Sequence, residues 1–204
     1  MEKMTSEADV ATFVAGAKGP LAIRGGGTRS VGRPVVGDVL DVSGLSGVTL
    51  YEPGALTIVA QAGTPVSEIE ATLAAENQRL AFEPYDLTAM LGTSGASTIG
   101  GVIATNASGP RRIQAGAARD FALGVRFVDG TGNIVKNGGR VMKNVTGYDL
   151  VKLMSGSWGT LGVLTEVSLK VLPAVEAVTT LVINDIDAPQ AVAAMSGALG
   201  SPYE

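Results

Sequence analysis

The sequence predicts an α+β fold. Short apolar runs bounded by glycine, proline and asparagine turns read as strands over residues 21–23, 39–41, 48–51, 56–60, 121–128 and 134–135. Apolar residues at helical spacing flank and interrupt these runs. At 204 residues, 46% of them hydrophobic and 17% charged, the chain is long enough for one good core and a small second unit.

In order, Ser6 followed by Asp9 forms a capping arrangement, and Val10, Phe13, Val14 and Ala17 then recur at helical spacing until Gly19 and Pro20 stop the helix. Leu21, Ala22 and Ile23 read as a buried strand running into Arg24-Gly25-Gly26-Gly27-Thr28-Arg29-Ser30. Three successive glycines can align backbone N–H groups as an anion-binding nest, Thr28 and Ser30 offer hydroxyls, and Arg24 and Arg29 add positive charge. The loop suits a pyrophosphate; a purely structural glycine turn is the other reading. It is not a Walker A loop, which ends in Gly-Lys-Ser/Thr, nor the dinucleotide fingerprint, because Ser30 stands at the third glycine position.

Strands at 39–41, 48–51 and 56–60 follow, separated by turns at Ser43-Gly44 and Glu52-Pro53-Gly54. A helix is then expected with Thr64 as N-cap, Pro65 in its first turn, and Val66, Ile69, Leu73 and Leu80 on one face. Residues 121–128, the turn Asp129-Gly130-Thr131-Gly132-Asn133 and residues 134–135 form a β-hairpin. Near the end, residues 179–183 have a strand pattern, and Asp187-Ala188-Pro189 opens a helix carrying Ala191, Val192, Met195 and Leu199.

Residues 92–109, GTSGASTIGGVIATNASG, contain five glycines and no charge. Small residues there let backbone approach something flat or phosphorylated, which marks the run as the wall of a ligand site. A glycine-rich loop is the alternative, and Ile99, Val102 and Ile103 argue against it because they can anchor the segment in a core.

Composition removes several functions. A net charge of −4 with no run of Lys or Arg provides no footprint for nucleic acid. The chain has no Cys and no His, so disulfides, Cys- or His-ligated metals and Ser-His or Cys-His catalytic pairs are impossible within it. MEKMTSEADV has no apolar signal region and no stretch of about 18 apolar residues occurs, which predicts a cytoplasmic protein without a transmembrane segment.

A third informative stretch runs from Lys143-Asn144-Val145-Thr146-Gly147-Tyr148-Asp149-Leu150 to Gly156-Ser157-Trp158-Gly159-Thr160-Leu161-Gly162-Val163-Leu164-Thr165-Glu166. With residues 24–30 and 92–109, it resembles the PCMH-type FAD-binding domain of the vanillyl-alcohol oxidase / p-cresol methylhydroxylase family. Val141-Met142-Lys143-Asn144-Val145 and Leu169-Lys170-Val171-Leu172-Pro173 add likeness to the FAD-binding subunits of bacterial glycolate oxidases.

That resemblance implies two α/β subdomains, about 1–45 and 46–173, with FAD between them, followed at 174–204 by the incomplete start of a cap domain. It implies that Gly25, Gly26, Gly27, Thr28 and Ser30, with Arg24 and Arg29, hold the pyrophosphate. Gly92, Thr93, Thr98, Ile99, Gly100, Gly101, Ala104, Asn106, Ser108 and Gly109 would lie along the pyrophosphate and isoalloxazine, and Gly162 and Val163 at the adenine and ribose. Arg112 and Tyr148 are further candidates, against a solvated surface role for Arg111 and Arg112 and a helix-capping role for Asp149. Some relatives attach flavin through a His where this chain has Thr28, so non-covalent FAD is expected. Many carry Glu where Trp158 stands, and Trp158 is read as a packing residue. No catalytic residue is assigned.

The implied activity is a flavin-dependent 2-hydroxy-acid dehydrogenase or oxidase of the glycolate type. Its implied partners are the 2-hydroxy-acid substrate, a second flavin subunit and an iron–sulfur subunit, through which the protein would associate with a membrane. A non-catalytic FAD-carrying assembly subunit is the alternative.

Overall fold

The computed structural model describes residues 3–140 and 147–202. It contains two compact units, Met1–Ala174 and Val175–Glu204.

The first unit opens with helix α1 (Glu7–Gly16), whose N-terminus is closed by a reciprocal capping box between Ser6 and Asp9. Strands β1 (Leu21–Arg24) and β2 (Asp38–Asp41) pair in parallel, with Arg24 opposite Asp41. Val10 and Val14 of α1 pack on Leu40, Val42 and Leu45 to form a small core, which Val128 and Val163 complete.

A larger core lies over a five-stranded sheet. In chain order its strands are β3 (Val48–Glu52), β4 (Thr57–Gln61), β6 (Ala122–Val128), β7 (Ile134–Gly138) and β8 (Val163–Lys170), separated by a single 3-10 turn (Pro53–Ala55) and the elements below. In space the order is β3-β4-β8-β6-β7, antiparallel throughout. The β6–β7 turn is pinned by Asp129, whose carboxylate accepts from Thr131 and from the Asn133 N–H. Those bonds, the one from the Thr131 hydroxyl first, hold its pKa at about 2.

Helix α2 (Val66–Ala74) buries Val66, Ile69 and Leu73 against this sheet, and β5 (Gln78–Arg79) pairs with β9 (Leu172–Pro173). Short helices α3 (Thr88–Leu91), α4 (Ile99–Thr105), α5 (Arg112–Ala115), α6 (Ala118–Phe121) and α7 (Leu150–Met154) fill the connections. In the second unit, α8 (Ala188–Leu199) starts at Asp187, which forms a capping box with Gln190.

Several expectations need correction. Pro65, not Thr64, is the N-cap of α2. The Thr64 hydroxyl is committed elsewhere, donating to the Gln61 carbonyl at 2.6 Å and accepting from the Gly47 N–H at 2.9 Å. Leu80 is buried but lies beyond β5, because α2 ends at Ala74. Leu56 is not in β4; it takes a left-handed turn closing the 3-10 segment. Residues 179–183 form no ladder, so the strand pattern there lacks the partner it needs. The segment 141–145 lies outside the described residues.

Candidate functional site

Because β1 and β2 are parallel, their carboxyl ends emerge on the same side, which is where open α/β arrangements place ligands. A cleft of about 450 Å3 opens there. Arg24, Gly25 and Gly26 enter it from β1, and Asp41 and Ser43 from β2. Gly63 and Pro65, at the start of α2, and Ala96 and Thr98, just before α4, form the facing wall, with Lys3 at the rim.

The glycines at 25–27 serve two purposes. A Cβ on Gly26 would collide with the Ala96 carbonyl oxygen, and one on Gly95 with the Gly26 carbonyl oxygen. A Cβ on Gly25 would stand 2.5 Å from the Thr98 hydroxyl oxygen. The two loops therefore touch backbone to backbone, an approach that only glycine allows. Gly27 takes φ +69 beneath the Arg24 guanidinium. Meanwhile the N–H groups of Gly25, Gly26, Gly27 and Thr28 donate to no other described residue. Of these, Gly25 and Gly26 line the cleft with Lys3 and Arg24, a donor set suited to an anion.

Arg29 departs from the expected phosphate contact. Its guanidinium turns into the protein, donating to the Ser97 hydroxyl at 2.9 Å and the Tyr85 carbonyl at 3.1 Å. Burial lowers its pKa, opposed by Tyr85 and Asp86, and an arginine so placed stays charged. Arg29 thus ties the glycine loop to the wall at 85–97. Thr28 is buried and Ser30 exposed.

The glycine-rich run carries a helix. Ile99, Val102 and Ile103 anchor α4 in the large core, as expected of them. Gly100 donates its N–H to the Ala62 carbonyl at 2.7 Å, and a Cβ there would lie 2.6 Å from the Ala62 methyl. Gly101 faces Thr98 and Arg29. Beyond the helix, Asn106 adopts a left-handed cap and accepts from the Arg119 N–H, while the Ser108 hydroxyl accepts from the Ala118 N–H. Gly109 packs against Glu83, which Arg111 grips with Nε and Nη2. Ala104 accepts from the Trp158 N–H.

The predicted residues therefore fall into a cleft group, 24–26 and 98, and a group around the end of α4. Gly162 and Val163 open β8 beside Val128. Gly92, Arg112 and Tyr148 are exposed and do not line the cleft. Asp149 caps α7, accepting from the Lys152 N–H at 3.0 Å. Lys3, Asp41, Ser43, Ser46, Gly63 and Pro65 escaped the sequence reading as site residues, while Ala96 belongs to the 92–109 run read as a ligand wall. The strand ending at Asp41 was legible, but its parallel pairing with β1, which aims it at the cleft, was not.

The FAD binding domain family matches residues 3–138. The chain belongs to this PCMH-type family. Among its relatives, glycolate oxidase subunit GlcE of Escherichia coli is 47% identical over 157 residues, covering 76% of this chain and 43% of the relative. Glycolate oxidase subunit GlcD of Bacillus subtilis is 36% identical, covering 79% and 34%, and a D-lactate dehydrogenase of Archaeoglobus fulgidus is 34% identical, covering 80% and 36%. The structure of alkyldihydroxyacetonephosphate synthase superposes with a TM-score of 0.67 at 27% identity, covering 86% of this chain and 32% of that one. The chain spans less than half the length of these relatives.

The residues present fit FAD. The glycine loop with Lys3 and Arg24 at the cleft supplies donors of the kind a dinucleotide diphosphate takes. Among the described residues no group of three or more metal-ligating side chains occurs, and no helix is long and apolar enough to cross a membrane.

Proposed function

We propose that this FAD-binding domain holds its cofactor non-covalently and is the flavin-carrying part of an oxidoreductase acting on 2-hydroxy acids of the glycolate type. The four unspent N–H donors at 25–28, at the carboxyl end of β1, carry the reading. FAD, when bound, accepts the electrons of the oxidation. The chain's own residues bind and orient: the 25–28 loop and Lys3 and Arg24 take the diphosphate charge, and Thr98 closes the wall behind it. Asp41, whose Oδ1 accepts from the Ser43 N–H at 2.9 Å, is a fixed acceptor suited to a ribose hydroxyl. With no His or Cys in the chain, neither of those side chains can tether the flavin.

The substrate class and the need for further subunits rest on relatives named glycolate oxidase subunits and D-lactate dehydrogenases. The residues from 175 onward are proposed as part of a cap that covers the flavin in the whole protein.

The test is the visible spectrum of the purified chain after incubation with FAD and desalting, then chromatography of the ligand released by heat. Flavin bands, with intact FAD in the supernatant, are expected. Retention undiminished in the double variant Lys3→Ala, Arg24→Ala would remove the cleft as the diphosphate site.

A further inference from the structure

Arg29 is a half-buried cation without an acid. Its guanidinium donates only to neutral oxygens: the Ser97 hydroxyl at 2.9 Å, the Tyr85 carbonyl at 3.1 Å and, more weakly, the Thr28 hydroxyl at 3.4 Å. Nε is buried and has no partner among the described residues. Arg79, Arg111 and Arg126 differ, because each faces a carboxylate, Glu83 for the first two and Glu7 for the third. None of the described ion pairs includes Arg29. Asp86 acts on it only from beyond ion-pair distance; that carboxylate is exposed and accepts from the Thr88 N–H at 2.9 Å. Charge withdrawn from water without an opposite charge is costly, and no described side chain offsets the cost.

This charge stands directly behind the cleft. A Cβ on Gly101 would lie 3.8 Å from Arg29 Nη1 and 3.3 Å from the Thr98 hydroxyl oxygen, so those two atoms are at most 7.1 Å apart. Thr98 lines the cleft, as does Ala96. Between them sits Ser97, the residue that Arg29 holds. The backbone at Thr98 is extended, and side chains alternate along such backbone, which sets 96 and 98 on the cleft side and 97 on the guanidinium side. Across protein, where the effective dielectric is well below that of water, charges at this range still attract appreciably.

We propose that Arg29 is a positioning residue that acts on the bound diphosphate through this wall: it holds Ser97 in place and keeps a positive charge uncompensated until the anion enters the cleft. The proposal rests on the FAD reading above. It gives Arg29 a role distinct from that of Lys3 and Arg24, whose side chains belong to the cleft lining itself.

Equilibrium titration of the 204-residue chain and its Arg29→Met and Arg29→Lys variants with FAD, paired with urea denaturation of each apoprotein, tests it. Arg29→Met keeps the length of the side chain and removes the charge. It is expected to weaken FAD roughly 5- to 50-fold. Its denaturation midpoint should change little, because the lost bonds to Ser97 and Tyr85 are offset by removal of an uncompensated charge. Arg29→Lys keeps the charge without the planar fork and is expected to recover most of the affinity. The deficit of Arg29→Met should persist as salt is raised from about 0.05 to about 0.5 M, since a charge behind the wall is little screened.

Equal FAD affinity in wild type and Arg29→Met overturns the proposal. So does a Lys variant as weak as Met, which would make the fork and not the charge decisive, or a Met deficit that vanishes at high salt. Binding and stability falling in step in Arg29→Met would leave Arg29 as a brace for the fold alone. A wild-type chain that takes up no FAD would sink the cofactor reading and this proposal with it.

Discussion

Gly26 has no side chain because Ala96 already fills the space one would need. The sequence alone suggests that Gly26→Val would block a diphosphate and spare the fold. Loop-on-loop contact changes that expectation, since even Gly26→Ala forces a Cβ into backbone that cannot swing aside. Gly26→Ala is expected to destabilise the apoprotein by about 1–3 kcal/mol, as overpacking does, and to weaken FAD retention together with it. Urea denaturation and flavin retention measured side by side check this; loss of flavin at unchanged stability would restore the simpler view. Pattern alone told us that residues 24–30 needed glycine. It did not tell us that part of the need comes from Ala96, about seventy residues away, because the sequence carries no record of which loops meet.

At the scale of elements, α1 is fixed to the sheet by polar bonds as well as by its apolar face. Glu7 pairs with Arg126 of β6 and accepts from the Thr165 hydroxyl of β8 at 2.6 Å. Burial pushes the Glu7 carboxyl up, but the bonds from Arg126 and Thr165 outweigh it and leave the pKa below its ordinary value. A carboxyl with a lowered folded pKa stabilises above its unfolded value, and that stability is lost as pH falls through the folded one. The difference in unfolding free energy between wild type and Glu7→Gln should therefore shrink as acid is added, measured by denaturation across pH 2 to 7. Arg126→Met is expected to cost about 1–3 kcal/mol at neutral pH, less than a fully buried pair because Arg126 is 35% exposed. Helix α4 illustrates the opposite case. Its two glycines disfavour a helix by about 1 kcal/mol each, and the sequence marks the run as the wall of a ligand site without predicting a helix there. Close packing of Gly100 on Ala62 and burial of Ile99, Val102 and Ile103 override that preference.

For the whole molecule, cofactor and fold are linked by mass action. A ligand at 100 times its dissociation constant adds about 2.7 kcal/mol to the folded state. For a chain of this size that corresponds to a rise in Tm of roughly 5–10 °C. Differential scanning calorimetry with increasing FAD should show the rise, and FAD-independent melting would contradict a cofactor held by the folded domain. The second unit is expected to contribute little to that transition. Its hydrophobic residues Val178, Leu181, Val182 and Leu199 are exposed, so its own core is small.

What the sequence determined by itself was everything that depends on residues close along the chain: the capping boxes at Ser6 and Asp187, the hairpin at Asp129, and the three glycine motifs with the family they resemble. It also determined the absence of His and Cys, and with it the chemistry the chain cannot perform. Tertiary structure alone decided that β1 and β2 run parallel, so that Asp41 and Ser43 join the glycine loop at one cleft, and that α4 forms despite its glycines. It also decided that Arg29 faces inward and Trp158 outward. The division has a physical reason: turns and caps are closed by bonds spanning three or four residues, whereas a cleft is made by whichever distant backbones pack closely enough to exclude a side chain.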